Sequence, residues 1–418
     1  MAELTRRQLL AASGTGALGI AVGGGAGFAL GEDSAGQDRS GSSNEPVPFH
    51  GAHQAGIATP AQDRLVFGAF DLTLTSASEL EELLRTWTVA AQAMTAGHTT
   101  GPLPGAPDAP PADTGEAVGL PPSRLTITFG LGPSVFEQHG ADRFGLASKR
   151  PAALTPIGPL PGEQLEAQRS DGDLCVQACA DDPQVAFHAV RNLARAARGA
   201  AVLRWTELGF GRTSSTTSDQ VTLRNLMGFK DGTNNLDGSD AAAMDRFVWV
   251  GPEEPQPWFR GGTYLVSRRI RMFIEAWDRD NLADQEHVIG RFKDSGAPLS
   301  GKHEHDTVRL AERTATGEPV IPVKAHIRVA APSSNDGERI LRRGYSFTDG
   351  IDPETGELDA GLFFICFQRD PHRQFAAIQR RLGAIDALGE YIQHRSSALF
   401  AVPPGIAKGG FLAQGLFT

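Results

Sequence analysis

The chain has 418 residues, 40% hydrophobic and 21% charged, enough apolar material for two or three packed units of ordinary size. Its formal net charge is -10 and its Lys and Arg are scattered, so there is no basic stripe to neutralise nucleic-acid phosphates, and nucleic acid is excluded as a partner. Only three cysteines occur, Cys175, Cys179 and Cys366, each in an apolar stretch, which excludes a disulfide framework.

The N-terminus reads TRRQLL from Thr5 to Leu10, and an uncharged Gly- and Ala-rich run continues to Leu30. Leu9 to Leu30 is long enough to span a bilayer, but its seven glycines leave it only modestly hydrophobic. Residues 1–35 therefore read as a cleaved signal resembling those of the twin-arginine route, with a retained membrane anchor as the alternative. With no cysteine there, a lipoprotein anchor is excluded. The resemblance implies a periplasmic, cell-envelope or extracellular protein, exported by a route that carries folded chains, often with a cofactor in place. Residues 36–48 are small, polar and rich in Gly and Ser, as in a disordered linker.

Folded material is expected from His50. RLVFGAFDL (64–72) alternates as a strand, and Ser76 to Met94 reads as a helix with a serine N-cap and glutamates in its first turn. The Pro- and Gly-rich stretch 97–122 is expected to be an inserted surface loop. SRLTITFGL (123–131) and DLCVQACA (173–180) read as strands, separated by a long loop holding PAALTPIGPLPG. Cys175 and Cys179 would share one strand face, too far apart for a bridge, as buried inert thiols. Asp182 and Pro183 open a helix to about Arg198, and AVLRWTELGF (201–210) closes the set as a strand. Strand, helix, strand, strand, helix, strand is the ferredoxin-like order.

A second pass follows. It comprises a strand at 261–274, a helix from Asp280 to Phe292, strands near 340–348 and at 361–368, a helix from Pro371 to about Asp386, and a last strand near Ser397 to Val402. The expected fold is α+β, two ferredoxin-like units over 49–225 and 226–418, with the duplication resting on element order.

Three short segments carry the chemistry. GFKDG (228–232) runs on into Thr233, Asn234 and Asn235, and by itself Asp231-Gly232 is an ordinary turn signal. His326 sits in KAHIRV, whose alternation reads as a strand with Lys324 and Arg328 on the same face, a setting in which a lone histidine is ordinarily structural. Arg342 and Arg343 follow sixteen residues later in ILRRGYSF and would point to opposite strand faces. An aspartate, an imidazole and a guanidinium are the minimal set for holding a haem iron and splitting a peroxide bond across it. HEHD (His303 to Asp306) reads as a solvated loop, with chelation of a divalent metal as the alternative.

GFKDG resembles the GxxDG signature of the dye-decolourising (DyP-type) peroxidases at every fixed position, and the AHIR and LRRG segments follow in that family's order. FHGAHQAGIATP is similar to the opening of exported members, and the likeness spans about residues 45–415, nearest to the exported deferrochelatase/peroxidase-like subgroup. The resemblance implies a dimeric-barrel-like fold with one haem b per chain, held mostly by the C-terminal unit. It implies His326 as the proximal iron ligand, Asp231 as the distal acid–base group and Arg342 as the distal arginine, leaving Arg343 as a surface or ion-pair residue. Gly232, Thr233, Ala331, Pro332 and Ser333 would lie beside the haem, although exported relatives tend to carry arginine where Ser333 stands. Asp370 would hydrogen-bond the proximal histidine, the alternative being a helix N-cap before Pro371. Tyr345, Tyr391, Trp258 and Trp277 are candidates for surface aromatics that pass electrons to bulky substrates.

The activity so implied is reduction of hydrogen peroxide coupled to oxidation of bulky dyes or phenols. The alternative is a haem-handling deferrochelatase in iron acquisition, which releases iron with the porphyrin intact and works with iron-uptake components. A chlorite-dismutase-like enzyme is a third reading, against which GxxDG argues. Because an aspartate ordinarily titrates near 3.9 and a histidine near 6.5, an aspartate-based site is expected to work best in acid.

Overall fold

The computed structural model describes residues 45–103 and 105–418. The export signal expected at 1–35 lies outside these residues, as does most of the linker. Among the described residues no helix is long and apolar enough to cross a membrane.

The first unit runs β1 (Arg64–Leu72), α1 (Ala77–Thr95), β2 (Thr126–Leu131), β3 (Leu174–Ala180), α2 (Pro183–Ala196) and β4 (Ala201–Arg212). Ser76 and Glu79 form the capping box that starts α1, each satisfying the other's backbone N–H. Asp182 caps α2 by accepting from the amides of Gln184 and Val185, with Pro183 in the first turn where no N–H is needed. The second unit contributes β5 (Thr263–Met272), α3 (Leu282–Ile289), α4 (His326–Val329), β6 (Leu341–Arg342), β7 (Tyr345–Ile351), β8 (Leu358–Gln368), α5 (Ala377–Ile385), β9 (Ile392–His394) and β10 (Ala398–Val402).

Strand order shows the duplication. The first unit is ordered β4-β1-β3-β2 and the second β10-β5-β8-β7, in each case the fourth, first, third and second main strands side by side, which is the ferredoxin-like order. The two sheets join edge to edge, β2 to β10 through Leu131–Ala401 and β4 to β7 through Phe210–Ser346 and Arg212–Tyr345, which closes an antiparallel eight-stranded barrel. Closure leaves no free edge among those eight strands.

Alternation then sorts side chains between two environments. Leu65, Phe67, Cys175, Cys179, Tyr345, Phe363 and Phe400 belong to one buried cluster inside the barrel, and the three cysteines are free and buried as expected. Outside the first unit, Val66, Phe70 and Val176 pack under Leu84 and Trp87 of α1 and Val190 and Leu193 of α2. The described residues of the 97–122 insertion form no helix or strand, and they are fastened rather than loose. Buried Asp113 accepts from the Thr100 amide at 2.9 Å and lies 2.8 Å from Nε2 of His188 on α2.

Candidate active site

Where the first unit lays its helices directly on the sheet, the second leaves a cavity of about 800 Å³. Ile270 and Met272 of β5 and Leu362 and Phe364 of β8 form its apolar sheet side, their strand neighbours Arg269, Arg271, Phe363 and Ile365 being on the barrel face. All lining residues come from position 225 onward except Pro161 and Gly162, which the long loop of the first unit delivers.

The GFKDG segment lies in a tight folded-back loop. The Asp231 amide donates to the Leu223 carbonyl at 3.0 Å and the Asn225 amide to the Phe229 carbonyl at 3.0 Å. Gly232 has φ +107, and a Cβ there would sit 2.9 Å from the Ser214 Cα, so only glycine lets the loop pass so close to residues 213–215. This fixes Asp231 at the cavity, where Oδ1 accepts from Arg342 Nη1 at 2.7 Å and Oδ2 accepts from the side-chain Nδ2 of Asn225 at 3.3 Å.

His326 is not on a strand. It is the first residue of the single-turn α4, whose N-cap Ala325 has its amide bonded to the Pro322 carbonyl. KAHIRV is too short for its alternation to distinguish a strand from one helical turn. The imidazole keeps 34% of its side chain accessible, lines the cavity, and has Nδ1 2.6 Å from Oδ2 of Asp386, which is 4% exposed. Burial pulls the His326 pKa down, but the Asp386 charge and hydrogen bond raise it more, so it lies above the ordinary value. Asp231 and Arg342 also act on that charge, in opposite directions. With Nδ1–H committed to the carboxylate, the Nε2 lone pair is the free one.

Of the residues expected at a haem, Asp231, Gly232, Thr233, His326, Ala331, Pro332, Ser333 and Arg342 all line this cavity. Asp370 does not, and the expectation that it holds the histidine is corrected. Its Oδ1 accepts from the amides of His372 and Arg373 at 2.9 and 3.0 Å, so it caps the helical turn after Pro371, while Asp386 holds His326. Arg343 is likewise no surface residue: it is fully buried in the barrel and donates to Gln62 and the Thr59 carbonyl, as alternation from Arg342 requires on a strand closed on both faces. The four aromatics proposed for the surface are all buried, Tyr345 and Trp277 completely. In HEHD, Glu304 accepts from Lys230 and Thr233 of the GFKDGTNN segment, while Asp306 accepts from the amides of Lys302 and His303 in its own loop.

Sequence reasoning also missed Arg291 and Arg339. Both line the cavity, and among the described residues they bond only to carbonyl oxygens, with no carboxylate in ion-pair range. Haem fits this donor set. It needs an unprotonated imidazole nitrogen, apolar walls for the ring and cations for two carboxylates, within the usual size of a cofactor site.

Comparison with known proteins agrees. Residues 54–211 match the family model described as Dyp-type peroxidase, N-terminal, and residues 222–407 the one described as Dyp-type peroxidase, C-terminal. The chain is 37% identical over 368 residues to the Deferrochelatase of Escherichia coli (strain K12), covering 87% of this chain and 85% of that one. It resembles the crystal structure of a DyP-type peroxidase from Streptomyces coelicolor with TM-score 0.81 and 43% identity, covering 89% of this chain and 97% of the other. Ferric DtpA from Streptomyces lividans gives TM-score 0.81 and 42% identity, covering 90% and 97%. The chain therefore belongs to the Dyp-type peroxidase family and is a haem-dependent peroxidase.

Proposed function

We propose that His326 Nε2 would ligate the haem iron, that Asp231 and Arg342 would act on the peroxide, and that Arg291 and Arg339 would meet the haem carboxylates. When bound, haem supplies a redox-active iron at which the peroxide O–O bond is cleaved and electrons from a reductant are taken up. The observation that carries the reading is one cavity lined both by an imidazole anchored through Asp386 and by the Asp231–Arg342 pair.

Asp386 orients the imidazole and makes it a stronger donor. Asp231 takes the proton from one oxygen of hydrogen peroxide and returns it to the other, which departs as water. Arg342, always charged, stabilises the negative charge that develops on the departing oxygen through hydrogen bonds already in place. The reductant class we favour is a bulky dye or phenol. Rapid peroxide consumption that disappears in Asp231→Asn at unchanged haem content tests these roles, and an Asp231→Asn enzyme as fast as wild type contradicts them.

A second reading draws on the curated relative named Deferrochelatase, namely release of iron from haem with the porphyrin intact, in company with iron-uptake components. Recovery of metal-free porphyrin after turnover would favour it, and recovery of intact haem would favour peroxidase turnover alone. TRRQLL supports export by the twin-arginine route, which replacement of Arg6 and Arg7 by lysine should block.

A further inference from the structure

We propose that Asn235, the last residue of the GFKDGTNN segment, is the positioning residue that sets Arg342 against Asp231. The inference rests on the peroxide-side roles given above and deepens them.

Arg342 lies on a strand of only two residues. β6 pairs with β8 along one edge, through Leu341–Phe367 and Arg342–Cys366. Along the other edge no strand among the described residues takes up the Arg342 peptide groups. The Asn235 side chain does so instead: the Arg342 amide donates to Asn235 Oδ1 at 2.8 Å, and Asn235 Nδ2 donates to the Arg342 carbonyl at 2.8 Å. One amide side chain thus makes both bonds that a neighbouring strand would make. The same Nδ2 donates to the Ser215 carbonyl at 2.9 Å, tying in the backbone against which Gly232 is packed.

Asn235 is in turn fixed to Asp231. Its own amide donates to the Gly232 carbonyl at 2.9 Å, closing a tight turn immediately after the aspartate. Asp231 and Arg342 are 111 residues apart in sequence, yet this turn and one side chain join them. A guanidinium on a flexible stem needs its backbone held before its tip can be, and Asn235 provides the hold. The chemistry is specific to asparagine: aspartate has the acceptor but no donor, alanine has neither, and glutamine places both one methylene too far.

The experiment compares haem-loaded wild type, Asn235→Ala, Asn235→Asp, Arg342→Ala and the double variant Asn235→Ala/Arg342→Ala. We expect kcat/KM for peroxide to fall roughly 10–100-fold in either Asn235 variant, as for other displaced catalytic groups. We also expect kcat/KM for the reducing dye to be unchanged, whereas a general loss of folded enzyme would lower both. In the Arg342→Ala background, Asn235→Ala should cost nothing further, because the group it positions is gone. Independent, multiplying effects in that cycle, or a wild-type peroxide rate in Asn235→Asp, would overturn the proposal. If Asn235→Ala does not fold, the nearly isosteric Asn235→Asp carries the comparison alone. A wild-type rate in Arg342→Ala would refute the underlying peroxide role, an outcome distinct from failure at Asn235.

Discussion

Replacing Asp386 by asparagine keeps the shape of the side chain and the oxygen that accepts from the Leu388 amide at 3.0 Å, but removes the charge beside His326. The bond lost is short, 2.6 Å, and the carboxylate is only 4% exposed, so solvent screens little of it. A charge-assisted hydrogen bond of this kind contributes about 1.5–3 kcal/mol, or one to two decades in an equilibrium constant. If that difference falls between the ferric and ferrous forms of the bound haem, the carboxylate favours ferric iron. Its removal then raises the one-electron midpoint potential by roughly 60–120 mV, at about 59 mV per decade. A spectroelectrochemical titration of wild type and Asp386→Asn reads the shift directly. Asp370→Asn is the companion measurement and should leave the potential where it was, since that carboxylate caps backbone amides. An unchanged potential in Asp386→Asn, or a shift confined to Asp370→Asn, would refute the assignment of the histidine's partner.

Other outcomes follow from the same geometry. Asp231→Asn should slow peroxide consumption by roughly 10²–10⁴-fold and Arg342→Ala by roughly 10²–10³-fold in stopped-flow mixing, with haem content near wild type in both. Arg339→Ala should weaken haem retention by roughly 10–100-fold in transfer to an apo-globin acceptor, because it removes a cation with no carboxylate partner among the described residues. His394, buried at the cavity beside Gln379, has its pKa pulled down to about 3 by burial and by Arg268. Its unfolded value is near 6.5, so the stability it contributes is complete above that pH and is lost as the pH falls towards 3, at roughly 1.4 kcal/mol per unit. His394→Gln should therefore flatten the decline of the thermal midpoint between pH 6 and 4, and an unchanged slope would show that the imidazole does not take part.

What could be read from the sequence divides along local and non-local lines. Ser76 with Glu79, and Asp182 with Pro183, announce their helices because the capping partners lie within three residues. The strands 64–72, 173–180 and 361–368 show themselves by pattern, and their order gives the duplicated unit. Alternation also separates Arg342 from Arg343, although barrel closure, which alternation does not reveal, decides that Arg343 is buried. The alternation of KAHIRV suggests a strand for His326, whereas the residue opens a single helical turn, too short to establish a period of its own. Asp370 is suggested as the histidine's partner by the family resemblance alone, with a helix N-cap before Pro371 as the alternative, and the cap is the role it fills. The true partner is sixty residues from His326 at the end of α5, and a local clue, the Asp-Ala-Leu turn that Asp386 caps, indicates structure rather than chemistry. Arg291 and Arg339 carry no motif, and only the cavity reveals them as cations without carboxylate partners among the described residues.

The measurement that tests the central claim most directly is the visible absorption spectrum of the purified, haem-reconstituted protein and of His326→Ala, before and after one equivalent of hydrogen peroxide in acidic buffer. The account predicts a high-spin ferric Soret band that changes promptly with peroxide in the wild type, and a band that is lost or displaced in His326→Ala. Equal haem uptake with an identical spectrum and an identical peroxide response in His326→Ala would contradict it, because the iron would then take its ligand from somewhere other than the imidazole that Asp386 holds.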